Sequence, residues 1–265
     1  MTTQFIGRVA VEISGHGDVV LFIHGLGGSS NTFTPLLLGS DSAFARYKAI
    51  NVDLPGSGRS GRVEGTLSLE RFIAAAVSVC SALNVTRAHV VAHSMGTIVA
   101  QHLAVHYPSL VRSLVLLGPL FCPPEPARKA LLARAVKARS EGTIGMAQIA
   151  DSLVQASTSA HTKRHTATAA AFVRESVMRQ SAKLYALSCE ALAEMQAVEP
   201  SAIKCPTLLI TGDEDVVAPP QSVRFMQEKI AGSAMHVLTA CGHWTPIEQP
   251  AQCASLMRAF YAQRM

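Results

Sequence analysis

The sequence predicts an α/β protein with a mostly parallel, doubly wound sheet. Strand-like and helix-like patterns alternate over the first 120 residues and resume at Thr207. Strands that alternate with helices in this way form a parallel sheet that has helices on both faces. Hydrophobic residues make up 49% of the chain and charged residues 15%, so a sizeable core is expected and disorder is not.

Each element of the alternation has its own signal. The stretch VVLFIHG, residues 19–25, is a continuous apolar run ended by glycine, which is typical of a strand buried on both faces. Residues 67–83 have helical spacing, with Ser68 as a candidate N-cap. The other predicted strands are RVAVEIS, YKAINVDLPG, AHVVAH, SLVLLGP, TLLITGD and MHVLTA, and the other predicted helices span 95–106, 221–230 and 247–261.

A long segment interrupts the alternation. From Phe121 to Pro200 the pattern is helical and rich in alanine, with no strand candidate, and proline-containing stretches bound it at both ends. Helices between two strand-rich parts indicate an insertion that sits on the sheet. We therefore predict a core made of residues 1–120 and 201–265, with a helical cap of residues 121–200 inserted after the sixth strand.

Composition and charge exclude several classes of function. The net charge is +5, but Lys and Arg are scattered and form no stripe of the kind that nucleic-acid binding needs. The six cysteines form no CxxC pair, so neither a zinc site nor a disulfide framework is predicted. The N-terminus has no signal-peptide pattern, and no apolar run is long enough to span a bilayer. We expect a cytoplasmic protein with neither a nucleic-acid nor a membrane partner.

The stretch AHSMG, Ala92 to Gly96, places one serine between a predicted strand and a predicted helix. Small residues on both sides let the chain turn sharply and hold the Ser94 hydroxyl clear of the backbone. This is the pattern of a nucleophile elbow, G-x-S-x-G, with alanine in place of the first glycine. A serine that only caps the helix is the alternative interpretation.

Five separate motifs resemble those of the α/β-hydrolase family, and together they cover nearly the whole chain. The resemblance implies a nucleophile, an acid and a histidine in that order along the chain. The motifs are HGLGGS (24–29), DLPGSGRS (53–60), AHSMG (92–96), GDEDVVAP (212–219) and CGHWTPIEQP (241–250).

A serine hydroxyl is a weak nucleophile, so a base must take its proton during attack. His243 follows a strand in a glycine-flanked loop and is the candidate base. A carboxylate must hold the imidazole in one tautomer. Position in the sequence leaves Asp213, Glu214 and Asp215 as candidates for this acid, and the resemblance favours Asp215. Some α/β hydrolases carry the acid after the sixth strand, where this chain reads LLGPLF without a carboxylate.

Two main-chain N–H groups are expected to stabilise the oxyanion of the tetrahedral intermediate. Met95 follows the nucleophile directly, and Leu26 follows His24 and Gly25 in the predicted oxyanion loop. This chemistry needs no cofactor and no metal. The pairs His102/His106 and His161/His165 have helical spacing but no identifiable third ligand, so we interpret them as surface pairs. In the family, the turn that contains Asp53 is structural.

Parts of the predicted cap resemble 3-oxoadipate enol-lactonases, which implies a small lactone that carries a carboxylate. The stretches are RAVKARSEG (134–142) and YALSCEAL (185–192). The candidate substrate-binding residues are His24, Arg134, Lys137 and Trp244. Arg128, Lys129 and Arg139 are further candidates for holding an anion, and the alternative is that these cations form the solvated face of the cap helices.

The leading expectation is therefore a serine hydrolase that opens a small-molecule ester or lactone through an acyl-enzyme on Ser94. A serine at the elbow argues against relatives that use aspartate, such as haloalkane dehalogenases and epoxide hydrolases. Alternatives are a general short-chain carboxylesterase, an acyl-homoserine lactonase, a C–C bond hydrolase and a cofactor-free haloperoxidase. A small-molecule receptor on the same fold is the non-enzymatic alternative. The oligomeric state is left open.

Overall fold

Eight strands form one sheet in the computed structural model, which describes residues 2–38, 44–61, 63–196 and 198–262. The strand order is β1-β2-β4-β3-β5-β6-β7-β8. All neighbouring pairs from β4 to β8 are parallel, whereas β1 and β2 join the edge in antiparallel pairing. The strands are β1 Thr2–Ile6, β2 Val9–Ser14, β3 Asp18–Ile23, β4 Tyr47–Val52, β5 Ala88–His93, β6 Val111–Leu117, β7 Thr207–Gly212 and β8 Ala234–Leu238.

Helices cover both faces of this sheet, as the alternation predicts. One apolar cluster joins β3 and β5 side chains to the helix that follows the elbow, and a second joins the opposite face to the last helix. The central strand β5 is buried along its whole length, which explains its unbroken apolar character. The helices of the core are α1 Thr34–Leu37, α2 Leu69–Ala82, α3 Met95–His106, α8 Pro220–Lys229, α9 Thr245–Glu248 and α10 Pro250–Ala262.

Among the described residues, four α-helices lie between β6 and β7, where the sequence predicts the insertion. They are α4 Glu125–Ser157, α5 Ala160–His165, α6 Ala167–Met178 and α7 Ala182–Glu194. Two of them reach down to the loop after β3. Ser176 of α6 donates a 2.8 Å hydrogen bond to the Gly27 carbonyl, and Tyr185 of α7 would lie 3.5 Å from a Cβ atom at Gly27. The insertion, called the cap below, therefore covers that loop.

The structure has several features that the sequence does not predict, including the short helix α1. The edge strand β1 was not predicted, because its residues TTQFI are mostly exposed and show no alternation. Helix α4 changes direction at Gly142, whose φ of 56° and ψ of −129° are not helical. The predicted final helix is two helices, because Gln249 is not helical and α10 begins at Pro250.

All six cysteines are free. Within the described ranges, no helix combines the length and the apolar character that a bilayer span requires.

Candidate active site

The chain turns sharply at Ser94, between the end of β5 and the start of α3. Ser94 has φ 52° and ψ −124°, a region that non-glycine residues rarely adopt. A Cβ atom at Gly96 would overlap the carbonyl groups of Ile23 and His24, and one at Gly25 would lie 2.7 Å from the Ser94 Cβ. Two positions thus need glycine because β3 and its loop pass against the elbow. This strained strand-turn-helix geometry is that of a nucleophile elbow.

Three side chains from distant parts of the chain form a continuous hydrogen-bonded line. His243 Nε2 lies 2.8 Å from Ser94 Oγ, and His243 Nδ1 lies 2.9 Å from Asp215 Oδ2. Ser94, His243 and Asp215 are exposed by 8%, 5% and 3%, so water has little access to these bonds. A carboxylate at Nδ1 favours the tautomer with a bare Nε2, which is the atom that can accept the serine proton.

Of the three neighbouring carboxylates, only Asp215 contacts the imidazole. Its Oδ1 accepts hydrogen bonds from Val217 N and Ala218 N at 2.8 and 2.7 Å. Burial raises the pKa of Asp215, but His243 and these two amides outweigh burial and hold that pKa below its ordinary value. The other two carboxylates turn elsewhere, because Asp213 accepts from Cys241 N and Glu214 accepts from Ala160 N.

Two main-chain N–H groups lie beside the elbow. Within the described residues, neither Leu26 N nor Met95 N donates a hydrogen bond. Met95 begins α3, where the first N–H groups have no partner inside the helix and carry its positive dipole end. The close approach of Gly25 to Ser94 brings the Leu26 loop to the same place. Free donors near a nucleophile suit a developing oxyanion.

His93, the residue before Ser94, holds the loop that carries His243. Its Nε2 donates to the His243 carbonyl at 2.9 Å, and the two rings are 5.1 Å apart. Burial, assisted by the nearby His243, lowers the pKa of His93 to about 3, so this imidazole is neutral at pH 7. The sequence does not predict this role, because its only signal there is one polar residue in the apolar stretch VVAH.

The sequence profile of the alpha/beta hydrolase fold family matches residues 18–250. The chain belongs to this family. The match spans the elbow, the loop after β7 that carries Asp215 and the loop after β8 that carries His243, called the histidine loop below. The resemblance stated from the motifs is thereby confirmed.

Individual relatives of this α/β hydrolase agree with that assignment. The 2-hydroxymuconate semialdehyde hydrolase of Pseudomonas sp. (strain CF600) is 27% identical over 97% of this chain and 91% of that protein. The BODYGUARD 2 protein of Arabidopsis thaliana is 42% identical, but over only 38% of this chain and 22% of that protein. The enol-lactonase from Burkholderia xenovorans LB400 shares the fold, with a TM-score of 0.87, 22% identity and coverage of 98% and 100% of the two chains. The family and the full-length relative support an enzymatic function.

Two predicted substrate-binding residues of this α/β hydrolase, His24 and Trp244, are buried and hydrogen-bonded within the protein. His24 is fully buried, its Nδ1 lies 2.8 Å from the Gly25 carbonyl, and its Nε2 accepts from Leu54 N at 2.9 Å. Trp244 is 4% exposed, and its Nε1 donates to Ser157 Oγ at 3.2 Å. The polar atoms of both side chains are thus bonded within the protein, and substrate contact by His24 and Trp244 stays a prediction. Sequence could not reveal Leu54 and Ser157 as partners, because they lie 30 and 87 residues away along the chain.

The cationic side chains of the cap differ in their partners. Lys137 pairs with Glu141 at 3.1 Å, and Arg139 pairs with Glu190 through both guanidinium nitrogens. Arg128 donates to three main-chain carbonyls, and Lys129 lies 3.5 Å from Glu125. Arg134 is half-buried and has no carboxylate partner within the described part of the chain.

Arg134 lies near a buried phenol. Tyr185 is 1% exposed, and its hydroxyl has no hydrogen-bond partner within the described residues. Burial and the neighbouring Cys189 raise the pKa of Tyr185, and the nearby Arg134 guanidinium partly offsets that rise. A buried hydroxyl without a hydrogen-bond partner destabilises the fold unless a ligand or a water molecule bonds to it.

The Asp53 turn and the two histidine pairs are the remaining polar motifs. Asp53 is 1% exposed and accepts from Ser30 N at 2.7 Å and from Arg59 N and Nε at 3.0 and 2.8 Å, as expected for a structural turn. The rings of His102 and His106 stack at 5.5 Å, and those of His161 and His165 lie 4.9 Å apart. Over the described ranges, no group of three or more potential metal ligands converges.

Proposed function

We propose that this α/β hydrolase cleaves carboxylic esters or small lactones through an acyl-enzyme on Ser94. One observation carries the proposal. The hydrogen-bonded line from Asp215 through His243 ends at Ser94, beside the free N–H groups of Leu26 and Met95. Nucleophile, base, orienting acid and oxyanion donors are the parts that acyl transfer requires.

Acylation begins when Ser94 Oγ attacks the carbonyl carbon while His243 Nε2 takes the hydroxyl proton. The carbonyl oxygen becomes an oxyanion, and the N–H groups of Leu26 and Met95 stabilise it. The C–O bond then breaks, and the imidazolium gives its proton to the leaving oxygen. With an ester an alcohol departs, whereas with a lactone the hydroxyl stays attached to the acyl group. Asp215 stabilises the imidazolium throughout.

Deacylation repeats the sequence with water in place of Ser94. His243 takes a proton from water, hydroxide adds to the acyl carbon, and the same amides bear the second oxyanion. Collapse of this intermediate breaks the bond to Ser94 Oγ, which recovers its proton from the imidazolium. The product is a carboxylic acid, and the enzyme returns to its starting protonation state.

The cap suggests that the preferred substrate carries a negative charge. Among the five cationic side chains considered above, Arg134 is the one without a carboxylate or carbonyl partner in the described residues, and it lies near the unsatisfied hydroxyl of Tyr185. Tyr185 also packs against Gly27, next to the oxyanion donor Leu26. A substrate carboxylate would accept from both side chains in a partly dry setting, where charge-assisted hydrogen bonds are strong.

Hydrolysis of a C–C bond is the second candidate. The 2-hydroxymuconate semialdehyde hydrolase is similar over 97% of this chain, which makes that class a direct competitor. The same serine, histidine and amide donors could serve it, because both reactions pass an oxyanion at a carbonyl carbon.

A substrate panel separates the two candidates. The panel contains 4-nitrophenyl acetate, a long-chain nitrophenyl ester, a neutral lactone, a carboxylate-bearing lactone and 2-hydroxymuconate semialdehyde. We expect the carboxylate-bearing lactone to have the highest kcat/KM and the semialdehyde to have a much lower one. Best turnover of the semialdehyde would favour the second candidate. Failure to turn over any ester or lactone would refute the proposal.

A further inference from the structure

Glu248 is a buried carboxylate that accepts four hydrogen bonds. It is 6% exposed and lies at the end of α9. Oε1 accepts from Trp244 N at 3.1 Å, and Oε2 accepts from Gly242 N at 3.0 Å. Oε2 also accepts from Ser159 N and Thr162 Oγ1, both at 2.8 Å. Two of these donors belong to the histidine loop and two belong to the cap.

The loop donors are the residues directly before and after His243. The N–H of His243 itself donates to the Ser157 carbonyl at 2.8 Å, and Ser157 is the last residue of α4. All three consecutive amides, from Gly242 to Trp244, therefore have acceptors that lie outside this tripeptide. A Cβ atom at Gly242 would lie between 2.6 and 2.8 Å from main-chain atoms of residues 157–159, so the two segments are also in close contact.

We propose that Glu248 is a positioning residue that fixes the loop of His243 and couples it to residues 157–162 of the cap. This inference rests on the proposed role of His243 as the base. None of the four hydrogen bonds of this carboxylate involves Ser94 or Asp215, and it acts through the main chain on either side of the imidazole. The cap segment is thus part of the support of the base as well as part of the cover above the sheet.

The arrangement is specific for a carboxylate. Four donors converge on two oxygen atoms that have acceptor sites only. An amide in the same place would present an NH₂ group to at least one N–H donor, so bonds would be lost and a buried donor left unsatisfied. The histidine loop would then relax, and a displacement of about 1 Å at a reacting group reduces turnover by roughly a hundredfold.

A nearby glutamate provides a matched control. Glu214 Oε2 accepts from Ala160 N at 2.8 Å, which is the same cap segment. Its side chain is exposed and accepts no hydrogen bond from residues 242–244. Glu214→Gln therefore weakens a cap contact of similar length without changing the acceptors around His243.

The test compares Glu248→Gln, Glu214→Gln and Thr162→Val in the full chain. The readouts are kcat and KM for 4-nitrophenyl acetate and the downfield proton resonance of the His243–Asp215 hydrogen bond. We expect Glu248→Gln to lower kcat by roughly tenfold to a hundredfold with KM changed by less than about twofold, because Glu248 does not touch the substrate. Its downfield resonance should shift or broaden, whereas Glu214→Gln should match the wild type in every readout.

Thr162→Val removes the cap-side bond from Thr162 Oγ1 to Glu248, together with the 3.0 Å bond that Thr162 Oγ1 accepts from Ser159 Oγ, and it keeps the charge of Glu248. It should lower kcat by a smaller factor than Glu248→Gln does. If Glu248→Gln does not fold, Thr162→Val tests the positioning role in its place. Unchanged kcat and resonance in a folded Glu248→Gln would overturn the positioning role. Unchanged kcat in Thr162→Val would overturn the coupling to the cap. The resonance of the wild type and the variants is measured without substrate, so this outcome is distinct from a failure to hydrolyse esters.

Discussion

A Cβ atom at Gly118 would lie 2.9 Å from both Cε1 and Nδ1 of His243. Gly118 directly follows β6 and has a φ of 54°. Some α/β hydrolases carry their acid after the sixth strand, but here a side chain at Gly118 would collide with the edge of the imidazole. Asp215 reaches the same Nδ1 atom from the loop after β7.

Gly118→Ala should therefore disable turnover more than it disturbs folding. The added methyl group would push the imidazole out of line with Ser94 and Asp215, which predicts a loss of roughly a hundredfold in kcat for 4-nitrophenyl acetate. Gly7→Ala is the control, because Gly7 has a similar φ of 58° but no atom within 4 Å of a Cβ. If both variants keep wild-type kcat, the contact at Gly118 does not matter for the base.

Ser94→Ala and His243→Ala should each lower kcat by roughly 10⁴ to 10⁶, because nucleophile and base act in one step. A serine-directed phosphonate should label Ser94 in the wild type, with mass spectrometry identifying the peptide. Labelling of a different serine, or near-normal turnover by Ser94→Ala, would remove Ser94 as the nucleophile.

Asp215→Asn should be severe but milder than loss of the base, because it disturbs the tautomer and orientation of His243. Asp213→Asn is its control, since Asp213 accepts only from Cys241 N among the described groups. Measured kcat/KM should fall strongly in the first variant and little in the second. The reverse order would show that the acid is Asp213.

Asp53→Asn should destabilise the fold by about 1.5 to 3 kcal/mol at pH 7, because it weakens charge-assisted bonds from Arg59 and Ser30. Burial raises the pKa of Asp53, but Arg59, His24 and the amide donors outweigh it and hold the pKa below 3.8. The ionised form therefore stabilises the fold above the unfolded pKa, and this contribution is lost as the pH falls through the lowered folded pKa. Urea unfolding from pH 7 to acid should show the difference between wild type and variant shrinking below about pH 4.

Arg134→Met should raise KM for a carboxylate-bearing lactone by roughly tenfold to a hundredfold, the equivalent of about 1.5 to 3 kcal/mol for one charge-assisted contact. KM for a neutral short ester should stay near that of the wild type. Lys137→Met is the control, because Lys137 already pairs with Glu141. Equal effects of Arg134→Met on both substrates would exclude Arg134 as the group that recognises the anion.

The sequence predicted the features that depend on local pattern. Strand and helix periodicity predicted seven of the eight strands along the chain, and the small residues at 92 and 96 predicted the elbow at Ser94. Each of these follows from steric demands within a few residues, such as the space that Gly96 must leave for the β3 carbonyls.

The directions in which these side chains point could not be predicted from the sequence. Asp213, Glu214 and Asp215 are neighbours, and which one contacts His243 depends on a turn that sends their carboxylates to three different partners. The same reason explains His24 and Glu248, whose hydrogen-bond partners come from segments 30 and 89 residues away.

The neutrality of His93 has a consequence for the charge balance of turnover. Its ring lies 5.1 Å from that of His243, and its pKa of about 3 keeps it uncharged over the range in which most proteins are stable. When His243 becomes an imidazolium, the adjacent ring adds no second positive charge, so the field of the Asp215 carboxylate is not opposed at close range. A lysine or arginine in place of His93 would introduce that repulsion in a setting with little water to screen it.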